Sequence, residues 1–265
     1  IRELRMSRGR GDVYKRQGTE GYCDGALPEE VLLTNATGAY GLAISEHMIG
    51  MLFELQKKLN LYAANQRAHI WKEEGNVRLI EGSRVLVIGL GDIGTAFARK
   101  MKGLGCRTVG IKRREARKPE GVDDLFTLER LEQQLPKADI VALCLPGYEG
   151  TYHMLNEERI AMLKENAVVL NVGRGMTVDT EALTKALREG RIAGACLDVT
   201  DPEPLPSEHP LWDMDNVILT PHVSGRFSLP ETLEKILNIC IENLECYLVK
   251  RPLRNVIDRK TGYRM

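Results

Sequence analysis

Three side chains with the chemistry of proton transfer and anion binding follow apolar runs in the second half of the sequence. Arg174 lies in NVGRG, Glu203 in DVTDPEPLP and His222 in TPHVSG. An imidazole can donate a proton near neutral pH, a neighbouring carboxylate favours its charged form, and a guanidinium presents a planar fork that binds a carboxylate. Taken singly, each residue has an ordinary interpretation as a surface charge, a solvated turn or a structural histidine. Their order and spacing behind a glycine-rich loop favour a catalytic site instead.

The glycine-rich loop begins where the apolar run 84–89 ends. Its sequence is Gly89-Leu90-Gly91-Asp92-Ile93-Gly94, and the helical pattern TAFARKM follows. In this strand-to-helix context Gly89 allows a tight turn, Gly91 lets the backbone approach a pyrophosphate, and Gly94 permits close packing of the helix. We therefore predict a dinucleotide site that also uses Asp92 and Ile93. A strand-to-helix turn without a ligand is the alternative.

The strand predicted at 107–111 ends in three cations, Lys112, Arg113 and Arg114. NAD-specific sites carry an acidic residue at this point, where it binds the ribose hydroxyls. Three cations instead favour a 2′-phosphate through charge-assisted hydrogen bonds, so we expect NADP(H) rather than NAD(H). A solvated basic turn is the alternative.

The elements that must position these residues alternate along the chain from residue 84 onward. The predicted strands are 84–89, 107–111, 139–145, 167–172, 192–199 and 216–220, and the predicted helices are 92–103, 127–135, a short one after Asn156, and 179–189. Strands that are apolar on both faces and separated by helices predict an α/β fold with a doubly wound parallel sheet of the Rossmann type. Helices predicted at 44–66 and 229–249 lie outside this alternation and bridge to a second domain or a partner subunit.

Composition narrows the class of protein. The 265 residues carry 37 basic and 37 acidic side chains, which gives no net field to attract nucleic acid or an anionic membrane. No apolar run approaches the roughly 20 residues that a membrane-spanning helix needs. The six cysteines are scattered without a C-x-x-C pair, so we interpret them as small buried side chains in a reducing compartment and expect no metal site. A soluble cytoplasmic protein is the prediction.

Residues 1–17 are excluded from the predicted fold. They contain six basic and two acidic side chains and show neither helical nor strand periodicity. A non-native cloning or assembly scar is the favoured interpretation; a native disordered arm and an Arg-rich transit peptide are the alternatives.

The motifs together resemble the D-isomer specific 2-hydroxyacid dehydrogenase family over residues 18–265. The resemblance rests on GLGDIG, LCLPGYEGTYHMLN, NVGRG, DVTDPEPLP, TPHVSG and the terminal NVIDRKTGY. It implies hydride transfer between a nicotinamide cofactor and a 2-keto acid or D-2-hydroxy acid, with His222 as proton donor, Glu203 as its carboxylate partner and Arg174 as substrate anchor. Further cofactor contacts implied by the resemblance are Leu145, Pro146, Thr151, Val172, Gly173, Asp198 and Gly225, beside Arg174 and His222 themselves.

The resemblance also implies how the chain is divided. We expect a dinucleotide-binding domain at 49–222, with 18–48 and 223–265 as remnants of a flavodoxin-like substrate domain whose earlier part is missing. Strands near 31–33 and 255–258 would then have exposed edges, and turnover by this chain would be poor. The substrate cannot be ranked from these residues.

The sequence also supports expectations about the oligomeric state and about functions other than catalysis. The long helix at 44–66 resembles the family's dimerisation arm, so a homodimer is expected; a helix packed within its own chain is the alternative. The alternatives to the enzyme are a cofactor-sensing scaffold similar to corepressors of this fold, and an inactive fragment that only binds cofactor. The remaining histidines match no catalytic position, and surface, capping or packing roles are expected for His47, His69, His153 and His209.

Overall fold

The computed structural model describes residues 28, 30–225 and 229–259. The chain divides into two compact units. The larger is formed by residues 37–237, and the described residues of the smaller are 28, 30–36 and 238–259. The larger unit therefore starts before, and ends after, the 49–222 expected for the dinucleotide-binding domain.

A seven-stranded sheet forms the centre of the larger unit. Its strands are β1 (Arg84–Ile88), β2 (Arg107–Lys112), β3 (Asp124–Thr127), β4 (Ile140–Leu143), β5 (Val168–Asn171), β6 (Gly194–Leu197) and β7 (Val217–Leu219). Their order is β3-β2-β1-β4-β5-β6-β7 and every pairing is parallel. The predicted doubly wound sheet is confirmed. Each strand predicted from residue 84 onward in the alternating pattern is present, and β3, too short and too polar at its start to stand out in the sequence, is an addition.

Helices cover both faces of this sheet. The helices of the described residues are α1 (Gly41–Gln56), α2 (Leu59–Arg67), α3 (Asp92–Gly103), α4 (Leu131–Gln134), α5 (Glu157–Ala161), α6 (Thr180–Arg188) and α7 (Pro230–Leu248). On one face Met48 and Leu52 of α1 and Phe97 of α3 pack with the strands. On the other, Leu131 and Leu183 belong to a second cluster. Burying such a side chain contributes about 1.5–3 kcal/mol, so the apolar strand sequences fix this layered arrangement.

Two helix starts agree with the sequence. The side chain of Asn156 accepts a hydrogen bond from the Arg159 N–H at 3.0 Å, and that of Asp179 accepts one from the Ala182 N–H at 3.0 Å. Each cap stabilises its helix by about 1 kcal/mol. The predicted helices after Asn156 and at 179–189 are therefore confirmed.

The prediction of one continuous helix over 44–66 is wrong, because the helix is interrupted at Lys58. Lys58 adopts a left-handed conformation with φ of 56°, which ends α1 and starts α2 in a new direction. The Lys57 ammonium donates to the Arg78 carbonyl oxygen at 2.7 Å, and the Lys58 ammonium donates to that of Glu74. None of the residues of α2 is buried. The apolar spacing that predicted one helix therefore continues beyond the part that packs in the core.

Two shorter predictions also need correction. The helix expected at 127–135 is the single turn α4 between two 3₁₀ turns, because Pro136 has no N–H to continue it. The strands expected near 31–33 and 255–258 are reduced to one antiparallel bridge between Thr34 and Val256.

The cysteines are less uniform than expected. Cys106 and Cys196 are buried, and burial raises the pKa of both thiols. Cys144 follows β4, and desolvation raises the pKa of its thiol to about 12. Cys240 is exposed, since it lies on an outward position of α7, and it departs from the prediction; Cys23 lies outside the described residues.

A membrane-spanning helix and a metal-binding cluster are both absent from the described residues. No helix there is both long and apolar enough to cross a membrane. No group of three or more His, Cys, Asp or Glu side chains in that part of the chain is arranged to hold a metal ion.

Candidate active site

The C-terminal ends of the strands form one edge of the sheet, and the candidate residues follow them. Residues paired level with one another near this edge are Ile88 with Ile111 and Leu143, Leu143 with Asn171, Asn171 with Leu197, and Leu197 with Leu219. Loops that leave a parallel sheet at one edge build a common crevice. The sheet therefore brings together residues that are up to about half the chain apart in sequence.

The glycine-rich loop leaves β1 and opens α3. Gly89 has φ of 97°, and a Cβ there would lie 2.7 Å from the Cys144 carbonyl oxygen. A Cβ on Gly94 would overlap the carbonyl oxygen of Gly89, so both positions require glycine. Gly91 differs, since nothing lies within 4 Å of a Cβ there, and as the N-cap of α3 it provides no side-chain acceptor for the first N–H groups. The start of α3 thus fits a phosphate group.

Asp92 has a role that the sequence did not indicate. Its carboxylate accepts hydrogen bonds from the backbone N–H groups of Gly38, Tyr40 and Gly41, at 2.9, 3.2 and 2.9 Å, and so caps the start of α1. Its carboxylate is therefore bonded to the start of α1, and we expect any contact with a cofactor to come from its backbone. The neighbouring Ile93 packs against the core beside α1.

The basic run lies beside the glycine-rich loop. The Gly89 N–H donates to the Ile111 carbonyl oxygen at 3.1 Å, which places the end of β2 against the start of the loop. Lys112 is half-buried at the end of β2, while Arg113 and Arg114 are exposed.

The loop after β4 is held by Thr151. Its hydroxyl lies 2.8 Å from the Pro146 carbonyl oxygen and 2.9 Å from that of Tyr148, and it accepts from the Tyr148 N–H at 3.1 Å. Thr151 is buried and Leu145 nearly so. The hydroxyl of Thr151 therefore shapes the turn that presents Leu145 and Pro146.

The loop after β5 carries Arg174 and is positioned by a residue to which sequence reasoning gave no role, Asn171. The Asn171 side chain accepts from the Gly173 N–H at 3.1 Å and donates to the Arg174 carbonyl oxygen at 3.0 Å. Val172 is buried, and a Cβ on Gly173 would overlap the Leu145 carbonyl oxygen. The signal in the sequence was a polar residue inside the apolar run AVVLNV.

Arg174 and the loop that carries the carboxylate partner are neighbours. Its guanidinium donates to the Gly173 carbonyl oxygen at 2.8 Å. A Cβ on Gly175 would overlap the carbonyl oxygen of Thr200, so the two loops are in backbone contact.

His222 and Glu203 form a hydrogen-bonded pair. Nδ1 of His222 lies 2.9 Å from Oε2 of Glu203, and the other carboxylate oxygen accepts from the Thr200 N–H at 3.2 Å. The side chains are 17% and 28% exposed, so water screens the pair only in part. Since a carboxylate only accepts, Nδ1 carries a proton and Nε2 is left for the substrate.

Asp198 positions the segment that carries His222. Its side chain is fully buried, and it accepts from the Thr220 hydroxyl at 2.6 Å, the Val223 N–H at 2.9 Å, and both the N–H and the hydroxyl of Ser224. Its carbonyl oxygen accepts from the N–H of His222, which has the left-handed φ of 51°. The Asp198 carboxylate, which was expected to contact the cofactor, is thus hydrogen-bonded to the loop that carries His222. At the end of that loop, Gly225 packs against α1.

A glycine-capped helix start and a His–Glu pair, with an arginine on the adjoining loop, lie at one edge of a parallel sheet and are typical of a dinucleotide-dependent oxidoreductase. Residues 49–224 match the model of the D-isomer specific 2-hydroxyacid dehydrogenase NAD-binding domain. The chain belongs to that family. The predictions of the family and of the fold class are confirmed. So is the prediction of an oxidoreductase that acts on a CH–OH group with a nicotinamide cofactor.

Individual relatives show how far the similarity extends. The chain is 32% identical to a glyoxylate reductase of Thermofilum pendens over 83% of this chain and 66% of that one. A D-isomer specific 2-hydroxyacid dehydrogenase of Xanthobacter autotrophicus, solved with NADPH and MES, superposes with a TM-score of 0.81 at 32% identity over 93% and 100% of the two chains. The NAD-complexed enzyme of Lactobacillus delbrueckii gives a TM-score of 0.74 at 26% identity over 86% and 72%. The chain spans between 47% and 78% of the length of eight curated relatives that it matches.

Proposed function

We propose that the protein reduces a 2-keto acid to a D-2-hydroxy acid with NADPH as the preferred hydride source, and that His222 donates the proton. The observation that supports this most directly is the 2.9 Å contact between His222 and Glu203 at the strand edge where the glycine-rich loop also lies. The nicotinamide would supply the hydride.

In this proposal three side chains have separate roles in protonation and substrate binding. As the keto carbon gains a hydride its oxygen becomes an alkoxide, and the imidazolium of His222 can protonate it through Nε2. Glu203 holds the ring by Nδ1 and favours the charged form. Arg174 would bind the substrate carboxylate with two of its N–H groups.

Activity tests should begin with glyoxylate, because a curated relative is named glyoxylate reductase. In the proposed mechanism His222→Asn lowers kcat by about 10²- to 10⁴-fold, the usual range for loss of a general acid. His153→Asn is the matched control, since His153 also has a left-handed φ, of 44°, which asparagine tolerates, and lies outside the His222–Glu203 pair. Full activity of His222→Asn would refute the assignment. Cofactor-dependent assembly without turnover of any 2-keto acid would favour the scaffold function.

The preference for NADPH rests on the basic run. With no acidic side chain among Lys112, Arg113 and Arg114, a 2′-phosphate meets only positive charge there. Arg113→Ala and Arg114→Ala should each raise the NADPH Kd about tenfold, as for a lost charge-assisted hydrogen bond, and leave the NADH Kd unchanged. Arg117→Ala is the control, because Arg117 is an exposed cation beyond this run. Tighter binding of NADH than of NADPH by the unmodified protein would contradict the proposal.

We also propose a homodimer that associates through residues 59–79, here called the arm. Apolar side chains are exposed along it, at Leu59, Ile70, Trp71, Val77 and Leu79. Trp71 is fully exposed, and several large apolar side chains exposed within one short segment favour a protein interface there. Sedimentation at several concentrations tests this; Trp71→Asp should shift the equilibrium to monomer, and a wild-type protein that stays monomeric would contradict it.

A further inference from the structure

His47 of α1 contacts the network that holds the proton donor. Its Nε2 lies 3.0 Å from the Thr220 hydroxyl oxygen and 3.8 Å from Oδ1 of Asp198. The sequence assigned His47 no more than a surface, capping or packing role. α1 itself is fixed, because Met48 and Leu52 on its inner face are completely buried. His47 therefore approaches the loop from a rigid support.

The direction of these hydrogen bonds follows from counting protons. The Thr220 hydroxyl has a single proton, and at 2.6 Å from Oδ1 of Asp198 it donates that proton to the carboxylate, which can only accept. The hydroxyl oxygen then accepts from His47, so Nε2 of His47 carries a proton in either the neutral or the charged ring. His47 thus orients the hydroxyl so that it donates to Asp198.

The same carboxylate accepts from the Val223 and Ser224 N–H groups, on the C-terminal side of His222. Thr220 lies two residues before His222, so hydrogen bonds to one buried carboxylate hold the segment on both sides of the ring. A non-glycine residue in a left-handed conformation persists only where its surroundings hold it there.

We propose that His47 is a positioning residue, which aligns His222 with Glu203 through Thr220 and Asp198. This inference rests on the proposed role of His222 as proton donor. His47 itself does not exchange a proton with the substrate in this scheme. Its contribution is a single donated hydrogen bond, which any side chain with a donor at the same reach can replace.

Two substitutions of His47 distinguish the effect of its N–H donor from the effect of its ring volume. His47→Gln keeps an N–H at nearly the position of Nε2, whereas His47→Phe keeps the ring volume and removes the donor. We expect His47→Phe to lower kcat about three- to tenfold, as for one lost hydrogen bond, with the NADPH Kd and the KM for the keto acid unchanged. His47→Gln should recover most of the loss. Glu46→Gln is the control. Glu46 lies beside His47 on α1, and the substitution breaks only its exposed ion pair with Lys100 of α3.

Amide hydrogen exchange provides a measurement that does not depend on turnover. In His47→Phe the N–H groups of Val223 and Ser224 should exchange faster, while the amides of β5 keep their wild-type rates, and His47→Gln should restore the slow exchange. Wild-type kcat and exchange in His47→Phe would overturn the proposal, and so would an equal loss in the Gln and Phe variants.

The failure of the proposed function gives a different result. If His222→Asn is fully active, the role of His222 as proton donor is refuted. If the wild-type protein reduces no 2-keto acid, the proposed function fails for this chain. Exchange at Val223 and Ser224 then still decides whether His47 holds this segment.

Discussion

The substitution Asp198→Asn distinguishes a loop-positioning carboxylate from a cofactor ligand. It removes the charge and replaces one acceptor oxygen by an NH₂ donor, with almost no change of volume. One pair of donors faces Oδ1, from Thr220 and Val223, and another faces Oδ2, from the N–H and hydroxyl of Ser224. In either orientation of the amide, the new NH₂ group therefore meets one hydroxyl and one backbone N–H.

The expected loss of unfolding free energy depends on which of these donors can instead accept a hydrogen bond from the new NH₂ group. A hydroxyl can rotate and accept from the NH₂ group, but a backbone N–H cannot, and leaving it buried without an acceptor costs about 1–3 kcal/mol. The remaining bonds lose their charged acceptor, which costs about 1 kcal/mol more. We expect Asp198→Asn to lower the free energy of unfolding by about 2–4 kcal/mol and to lower kcat, because His222 loses its alignment with Glu203.

Urea denaturation followed by circular dichroism gives the stability, and calorimetry gives the NADPH Kd for the same samples. The control is Asp215→Asn, an exposed position where the stability should change by less than about 0.5 kcal/mol. Equal stability of the two variants would refute the positioning role. A weakened NADPH Kd at unchanged stability would show instead that Asp198 binds the cofactor, as the sequence predicted.

Three further outcomes are expected. Gly91→Ala should have wild-type stability but bind NADPH at least tenfold more weakly, whereas Gly94→Ala should lose stability, because its Cβ would meet the Gly89 backbone. Calorimetry measures the NADPH Kd and thermal denaturation the stability of both variants. A destabilised Gly91→Ala would contradict the open space at Gly91. The pKa of Asp123 is lowered to about 2, so its stabilising contribution is present above its ordinary value of 3.8 and lost as the pH falls towards 2; the stability difference between wild type and Asp123→Asn should shrink over that range in urea titrations, and a constant difference would contradict it. Iodoacetamide at pH 8 should label the exposed Cys240 and spare Cys144 of the native protein, because desolvation raises the pKa of the Cys144 thiol to about 12. Mass spectrometry measures the labelling, and equal labelling of the two would contradict the desolvation of Cys144.

The features that could be predicted from sequence depend on contacts close along the chain. The runs RVLVIG and AVVLNV are apolar on both faces, so they had to be strands covered by helices on both sides. Asn156 and Asp179 precede amphipathic segments and cap them in the structure. Local pattern therefore determined the sheet and most of its helices.

The features that could not be predicted depend on bonds between distant residues. The carboxylate of Asp92 lies within the glycine-rich loop in sequence but bonds to residues 38–41. Asp198 bonds to residues 220–224, and nothing in the spacing of His47 relates it to Thr220. The break at Lys58 was also invisible, because the apolar spacing continues through it while the packing does not.

The exposed Trp71 makes the arm optically distinct. The sequence contains two tryptophans. The other, Trp212, is 50% exposed, and its indole N–H donates to the Pro206 carbonyl oxygen at 2.8 Å, in the loop that carries Glu203. An indole in water emits at longer wavelength than one in a protein interior, so burial of the arm on association would shift the emission of Trp71 to the blue. Replacing either tryptophan by phenylalanine isolates the fluorescence of the other. The chain thus carries separate intrinsic reporters of its arm and of its catalytic loop.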